Sequence, residues 1–243
     1  SSELVLVDTG CGAQVRGIIE EYTDRIIDFQ WCGDFSKARN AGLEKARGKW
    51  FLYLDDDEWF EDTEEICQFF LSGEYLRYSS ARYVQRNYLN WSGTEYMDYH
   101  ALRMARRASG VHFEGPIHEE LLLAPGAARY FGAYVHHYGY VKDLKAGAMK
   151  TSRNIPLLLA AIEASPKGLK NYVQLTRECC IEGRWDEAEK WCRKGREIVQ
   201  GMKGAQAEGW LQVYLARILC KKADKAQAAR EAEAILRDES PCE

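Results

Sequence analysis

Four acidic residues in a row are the strongest indication of chemistry in this chain. They run from Asp55 to Glu58 and directly follow five apolar residues, Trp50 to Leu54. Such an apolar run between charged residues predicts a strand buried on both faces. Open α/β sheets bind ligands beyond the carboxyl ends of their strands, so the acids are expected at a ligand-binding edge. Neighbouring carboxylates repel one another, and a divalent cation that carries a diphosphate would relieve this repulsion. The alternative is a solvated acidic turn that caps the next helix.

A second acidic strand end is predicted at Asp8, which follows the apolar residues Leu4 to Val7. Because parallel strands end on one side of a sheet, Asp8 is expected at the same edge as Asp55 to Asp57. The alternative role of Asp8 is that of a turn or cap residue before Gly10.

Three basic residues are candidates for holding a diphosphate. Arg39 lies near the middle of a helix predicted over residues 35–46, where its guanidinium could pair with a phosphate or with the acids. Lys150 and Arg153 are three residues apart and share a helix face, from which they could also hold a diphosphate or an acid. A solvated surface position is the alternative for all three.

Histidines and carboxylates further along are candidates for proton transfer and metal binding. His118, Glu119 and Glu120 follow a stiff Gly-Pro turn, where a carboxylate could take a proton from an acceptor hydroxyl. A solvated loop is the alternative there. His136 and His137 lie in an alternating segment, so one of them should face the site, where a neutral imidazole can complete a metal shell begun by carboxylates. A packed or hydrogen-bonded histidine is the alternative.

The composition narrows the classes of function. The chain has 243 residues, of which 46% are hydrophobic, as is typical of a soluble protein. A net charge of −4 argues against a nucleic-acid-binding surface.

No apolar run approaches the ~20 residues that cross a bilayer. No signal peptide precedes Ser1, and the eight cysteines form no C-x-x-C pair, so reduced thiols in a cytoplasmic protein are expected. Motifs of dinucleotide, P-loop and serine-hydrolase sites are missing from the sequence.

The pattern of elements predicts two domains. Residues 4–54 alternate strand and helix, which predicts a parallel crossover sheet, and residues 75–140 read as antiparallel strands and long loops. From about residue 150 the chain becomes helical, with apolar stripes such as Trp185, Ala188 and Cys192. A similar stripe follows 38 residues later, with Trp210 in the place of Tyr172, which favours tetratricopeptide-like helix pairs over a generic helical hairpin. The predicted domains are residues 1–150 and 151–243.

Taken together, five stretches resemble the family 2 glycosyltransferases of the bacterial branch that carries a tetratricopeptide tail. They run in the family's order and are Val5 to Gly10, Asp34 to Asn40, Tyr53 to Glu58, Gly115 to Glu119 and His137 to Tyr140. The resemblance implies a GT-A fold, an α/β domain with a Rossmann-like, mostly parallel sheet, followed by an all-α tail. It also implies a metal-dependent, inverting transfer of a hexose-type sugar from a nucleotide-sugar donor, expected to be UDP-linked, to a peptide, protein or glycan acceptor.

The resemblance also implies roles for single residues. Asp57, the second acid of a D-x-D motif, would bind Mn²⁺ or Mg²⁺, with His137 as a further ligand. Glu119 falls where the inverting base is expected, although His118 and Glu120 compete for that role. The donor would be held by Asp8 at the base or ribose, Asp55 near the ribose, and Arg39, Lys150 and Arg153.

One departure from the family pattern concerns the beginning of the sheet. Family members have a strand, a turn and a helix before the segment equivalent to Leu4, and a sheet edge without that strand would be exposed. A homo-oligomer in which a second protomer covers the edge is one hypothesis. The tail is expected to present the acceptor or a protein partner. The main alternative function is a catalytically silent scaffold that binds a partner through its helical repeats, and a metal phosphohydrolase is a third.

Overall fold

The chain forms two compact units in a computed structural model. The structure describes residues 2–139, 141, 144–200, 206–222 and 225–237. The first unit spans Ser1–Asp143 and the second Leu144–Glu243, so the boundary predicted at residue 150 falls inside the first helix of the second unit. The predicted fold class is confirmed: an α/β unit is followed by helices alone.

The first unit begins with the predicted order of strands and helices. These elements are β1 (Leu6–Asp8), α1 (Ala13–Tyr22), β2 (Ile26–Asp28), α2 (Phe35–Lys45) and β3 (Trp50–Leu52). β1 and β2 pair in parallel, and their last residues lie opposite each other. The carboxylate of Asp34 accepts a 3.1 Å hydrogen bond from the amide of Lys37 and thereby caps α2.

The rest of the first unit contains a five-stranded sheet and a small two-stranded sheet. The further elements are β4 (Glu58–Phe60), α3 (Glu64–Leu71), β5 (Ser80–Tyr88), β6 (Tyr96–Arg106), β7 (His112–Glu114), β8 (Glu120–Leu122) and β9 (Ala128–His137). β7 and β8 form the two-stranded sheet. The five-stranded sheet has the order β3-β6-β5-β9-β4, in which β5 and β9 run parallel and the other pairs antiparallel. β3 ends at Leu52 and pairs with β6, so Tyr53 and Leu54, predicted as strand, already belong to the loop that carries the acids.

Two apolar clusters hold this unit together. In the first cluster, Ile66 and Phe69 of α3 pack against sheet residues such as Tyr83 and Met104. In the second cluster, Leu43 of α2 packs against Ala105, Phe113 and Leu121. The second cluster fixes α2 beside the loops that follow β3 and β7, and these loops carry the predicted site residues.

The second unit consists of helices that pack as successive neighbours. They are α4 (Leu144–Ala164), α5 (Leu169–Ile181), α6 (Trp185–Val199), α7 (Gln206–Lys221) and α8 (Lys225–Arg237). Tyr172 and Cys179 of α5 are buried, as the stripe predicts. No helix in the described part of the chain is long and apolar enough to span a membrane.

The predicted offset between the two helix pairs is wrong by one residue. Trp210 and Val213, the expected counterparts of Tyr172 and Leu175, are 38% and 37% exposed. The buried apolar side chains of α7 are instead Leu211, Leu215, Ile218 and Leu219, each 39 positions after a buried residue of α5. The offset of 38 matched aromatic and aliphatic residues by type, whereas burial follows the face of α7 that packs against the neighbouring helices.

Gly195 of α6 is expected to be intolerant of a larger side chain. A Cβ there would lie 3.0 Å from both Leu211 Cδ1 and Tyr172 Cβ, so Gly195→Val overpacks three helices. We expect a loss of about 1–3 kcal/mol in the free energy of unfolding, measured by urea denaturation. Gly17→Val in α1 is the matched control, because a Cβ at Gly17 meets no atom within 4 Å. Equal stability of the two variants would contradict the close packing.

Candidate active site

Two of the four consecutive acids are neutralised within the protein. Arg103 of β6 donates to Glu58 Oε1 over 2.6 Å and to Asp55 Oδ2 over 3.3 Å. Glu58 Oε2 accepts from the amide of Asp55 over 3.0 Å, which closes the turn that holds the acids. The carboxylate of Glu58 is fully buried. Burial raises the pKa of Glu58, and Arg103 offsets only part of that rise.

Arg39 joins helix α2 to both acidic loops. Its guanidinium donates to Asp55 Oδ1 over 2.7 Å and to the carboxylate of Glu119, and it stacks over the ring of Tyr53 at 4.7 Å. Burial opposes the charge of Arg39, but Asp55 and Glu119 outweigh burial and raise its pKa. For Asp55, burial is likewise outweighed by Arg39 and Arg103, which lower its pKa. Asp55 is therefore an ionised carboxylate between two guanidinium groups.

The loop that carries Glu119 is fixed on α2. Its Pro116 carbonyl accepts a 2.9 Å hydrogen bond from the amide of Phe35, and the side chain of Ile117 is buried. His118 has a φ of 51°, a left-handed conformation that is uncommon outside glycine. This conformation turns the chain so that Glu119 meets Arg39. Glu120, the third candidate base, is an exposed residue of β8 opposite Glu114.

Asp57 and His137 form the second group of the site. Asp57 Oδ2 lies 3.4 Å from His137 Nε2. The other ring nitrogen of His137, Nδ1, lies 2.5 Å from Asn87 Oδ1, and that oxygen also accepts from Gln85 Nε2 over 3.4 Å. An oxygen at this position accepts from Nδ1–H, so in a neutral imidazole it selects the tautomer whose Nε2 carries the lone pair. That tautomer can bind a cation through Nε2, beside the carboxylate of Asp57.

The backbone at Gly139 approaches both groups so closely that no side chain fits there. A Cβ at this position would lie 2.7 Å from Asp57 Oδ2 and even closer to His137 Nε2. Among the described residues there is no cluster of three or more histidine, cysteine or acidic side chains around one metal position. The pair therefore offers two protein ligands, which suits Mg²⁺ or Mn²⁺ held mainly by phosphate and water oxygens.

Asp8 lies in a different network. Its carboxylate accepts from the amides of Gly10 and Cys11 over 2.9 and 2.8 Å, from the Cys11 thiol, and from Arg16 of α1. The hydrogen bond from the Cys11 thiol contributes most to lowering the pKa of Asp8, followed by the two amides and Arg16. Arg16 also bonds Asp28, the residue opposite Asp8 on β2. The structure thus gives Asp8 the turn role, and contact with a base or ribose stays a prediction.

Lys150 and Arg153 both fall on α4 of the second unit. The side chain of Lys150 lies outside the described residues, and Arg153 is exposed. Their contact with a diphosphate stays a prediction.

Several residues that support the site are not predicted from the sequence. Of these, Arg103 has a local sequence signal, because a lone guanidinium between Leu102 and Met104 in a strand needs buried acids as partners. Asn87 and Gln85 are polar residues on the same face of β5, and both are 2% exposed, but only the pairing of β5 with β9 shows that they meet His137.

A separate surface cleft of 570 Å³ is lined by residues such as Glu44, Arg47, Lys49 and Arg107. It contains none of the predicted site residues and a single carboxylate. We therefore place the candidate site at the Asp57–His137 pair and the adjoining Arg39 network, where acids, imidazole and guanidinium groups converge.

The raised pKa of Glu58 predicts how Glu58→Gln changes stability with pH. The Glu58 carboxyl has a higher pKa in the folded protein than in the unfolded chain. It therefore contributes stability at pH values below its unfolded pKa, and this stability is lost as the pH rises through its folded pKa. Stability of Glu58→Gln relative to the parent protein should therefore increase from about pH 4 to pH 7, by about 1.4 kcal/mol for each unit of pKa shift. Urea denaturation across this range measures it. The exposed Glu44→Gln serves as control, and a falling or flat difference for Glu58→Gln would contradict the burial argument.

Comparison with known proteins identifies a family to which the first unit is similar. Residues 1–117 match the family model of glycosyl transferase family 2. A TPR repeat-containing protein of Synechococcus elongatus is 25% identical over 97% of this chain and 60% of its own length. The SPbeta prophage-derived glycosyltransferase SunS of Bacillus subtilis is 26% identical over 79% of this chain and 46% of its own length. The chain thus spans about half the length of these curated relatives. Residues 1–117 of this chain are thus similar to glycosyl transferase family 2, and a tail of helix pairs follows the first unit.

Proposed function

We propose that this protein is a metal-dependent, inverting glycosyltransferase that uses a nucleotide-sugar donor. The proposed donor is linked to UDP. The observation that carries the proposal is the 3.4 Å approach of the Asp57 carboxylate to the His137 imidazole, two residues along the chain from the Asp55–Arg39 ion pair. The match of residues 1–117 to the family model supports the reaction class. The glycosyltransferase SunS supports the same class as a relative. The proposed acceptor is a peptide, a protein or a glycan.

Asp57 and His137 would hold Mn²⁺ or Mg²⁺ together with the diphosphate of the donor. The ion supplies positive charge that stabilises the leaving diphosphate. Asn87 would keep His137 in the tautomer whose Nε2 binds a cation, in the way that outer hydrogen bonds orient metal-binding histidines. Asp55 would bond the ribose, while its two arginine partners keep it ionised.

Glu119 is the group to which we assign the acceptor's proton. The bond between the sugar's anomeric carbon and the diphosphate oxygen breaks, an acceptor oxygen bonds to that carbon from the opposite face, and its proton passes to Glu119. Arg39 holds one carboxylate oxygen of Glu119, which orients the group and leaves the other oxygen for the proton. His118 fixes the loop through its left-handed backbone, and exposed Glu120 is the weaker candidate base.

Binding of a nucleoside diphosphate tests the donor site. A ligand at 100 times its dissociation constant stabilises a protein by about 2.7 kcal/mol, so UDP with Mn²⁺ should raise the midpoint of thermal unfolding and UDP alone should raise it less. Asp57→Asn should remove the part that depends on Mn²⁺ and abolish sugar turnover. Asp56→Asn, the exposed neighbour in the same turn, should keep both. If no nucleoside diphosphate in a panel stabilises the protein with any metal, the scaffold function is favoured instead.

Gly139→Ala tests the metal position with a change that adds no charge. Its methyl group would clash with the carboxylate of Asp57 and the imidazole of His137 and would displace them. We expect the apparent affinity for Mn²⁺, taken from the thermal shift as a function of Mn²⁺ concentration, to fall at least tenfold, in line with losses of about 10–100-fold for disturbed metal sites. Gly132→Ala on β9 is the control, since its Cβ meets only Glu65 at 3.6 Å. Unchanged Mn²⁺ affinity in Gly139→Ala would place the metal elsewhere.

A further inference from the structure

Four aromatic side chains next to the proposed site form a cluster of nearly parallel rings, which we call the aromatic wall. Tyr138 lies at its centre, with ring centroids 4.3 Å from Tyr88 and 5.7 Å from both Trp59 and Trp91. The planes of Tyr138 and Trp59 differ by 5°, and those of Tyr138 and Trp91 by 14°. His136 stacks on Trp59 and Tyr88 and extends the wall.

The two indoles of the wall are open to solvent. Trp59 is 50% exposed and Trp91 is 69% exposed, whereas Tyr88 beneath them is 9% exposed. Large apolar side chains that adjoin on a surface commonly mark a binding site. The wall is therefore a candidate for contact with a ligand.

The wall is held rigidly before any ligand arrives. The hydroxyl of Tyr88 lies 2.7 Å from Nδ1 of His136. Trp91 sits on a turn that Asn90 closes, since Asn90 Oδ1 accepts from the amide of Thr94 over 3.1 Å and from the hydroxyl of Ser92 over 3.0 Å. Fixed rings lose little conformational entropy on binding, which favours affinity.

The groups around the rings suit a saccharide. A pyranose ring packs its apolar C–H face on an aromatic ring, while its hydroxyls bond to carboxylates, hydroxyls and amides at the ring's edge. The wall offers Glu61 beside His136, with a carboxylate that is 62% exposed, and the hydroxyls of Ser92 and Thr94 beside Trp91. Arg86, on the same sheet face, is bound by two hydrogen bonds to Asp98, so its charge is already matched. This composition favours neutral sugars over phosphate-bearing ligands.

The position of the wall links it to the acceptor. Trp59 is two residues from Asp57, and Tyr138 stands between His137 and Gly139 in the sequence. Because side chains alternate along a strand, Tyr88 and His136 project from the sheet face opposite to Asn87 and His137. The aromatic wall thus lies on one face of the sheet and the proposed donor site on the other, at the same end of the sheet, with Tyr138 next to both in the sequence. An acceptor chain that passes over this end of the sheet can contact both.

We propose that Trp59, Trp91 and Tyr138 bind a saccharide unit of the acceptor at a distance from the unit that receives the new sugar. This inference rests on the proposed glycosyltransferase function and narrows its acceptor to a glycan or a glycosylated chain.

The test is binding of neutral oligosaccharides to the full chain, followed by tryptophan fluorescence and saturation-transfer NMR. The probes are cellohexaose, maltohexaose and chitohexaose. We expect at least one probe to bind, and to bind roughly tenfold more weakly to Trp59→Ala and Trp91→Ala, as loss of one ring contact implies. Trp91→Phe, which keeps a ring, should recover most of the affinity. Tyr22→Ala, which removes a 75% exposed ring on α1, is the control and should bind like the parent protein.

The thermal shift with UDP and Mn²⁺ is measured on the same variants to separate the two proposals. It should be unchanged in all of them, because the wall does not contact the donor. No binding of any probe to the parent protein, or equal affinity in Trp59→Ala and Trp91→Ala, would overturn the saccharide site while leaving the donor site standing. Saccharide binding without any nucleotide shift would overturn the donor site alone.

Discussion

The pairing of Asp55 with Arg39 and Arg103 is the interaction on which the rest of the site depends. A row of acids at a strand end is unstable by itself, and here two guanidinium groups from α2 and β6 share one carboxylate. Each arginine also binds a second acid, Glu119 or Glu58. Truncating one partner of such a buried network leaves an uncompensated charge. The same contacts therefore join α2, β6 and the loop that carries Glu119.

This neutralisation divides the acidic run into parts with different tasks. Asp55 and Glu58 are bound within the protein, and Asp56 is exposed. Asp57 faces the imidazole of His137, whose orientation is set from behind by Asn87. Through Gln85, which bonds both Asn87 and Arg103, the charged network continues into the pair that we assign to the metal. A substitution at Gln85 would thus affect both parts of the site.

Much of this arrangement could be read from the sequence, and the reasons for the failures are physical. Residue types and the family resemblance single out five candidates: Arg39, Asp55, Asp57, Glu119 and His137. The structure brings them into two contacting groups, Arg39 with Asp55 and Glu119, and Asp57 with His137. Asp8 was ambiguous, since glycines after an acid serve a turn and a ligand loop equally well, and the structure shows the turn. Asn87 and Gly139 meet His137 because of how β5 pairs with β9 and how the chain turns after β9, which no local pattern reveals. Arg103 stands out as a lone guanidinium in a strand, but its partners depend on the pairing of β6 with β3 and β5. The repeat offset in the tail failed because similarity of residue type is not burial.

The small parallel pair β1–β2 has a consequence for the dynamics of the first unit. In the described part of the chain these strands pair only with each other, and α1 buries none of its side chains. Segments with so little buried apolar surface open locally at a fraction of the free energy of global unfolding. Residues 6–28 should therefore fluctuate as a module while the larger sheet stays closed, and any ligand that reaches Asp8 would slow that opening. The rate of amide hydrogen exchange in residues 6–28, which lie outside the Arg39 network, would then report whether the donor site is occupied.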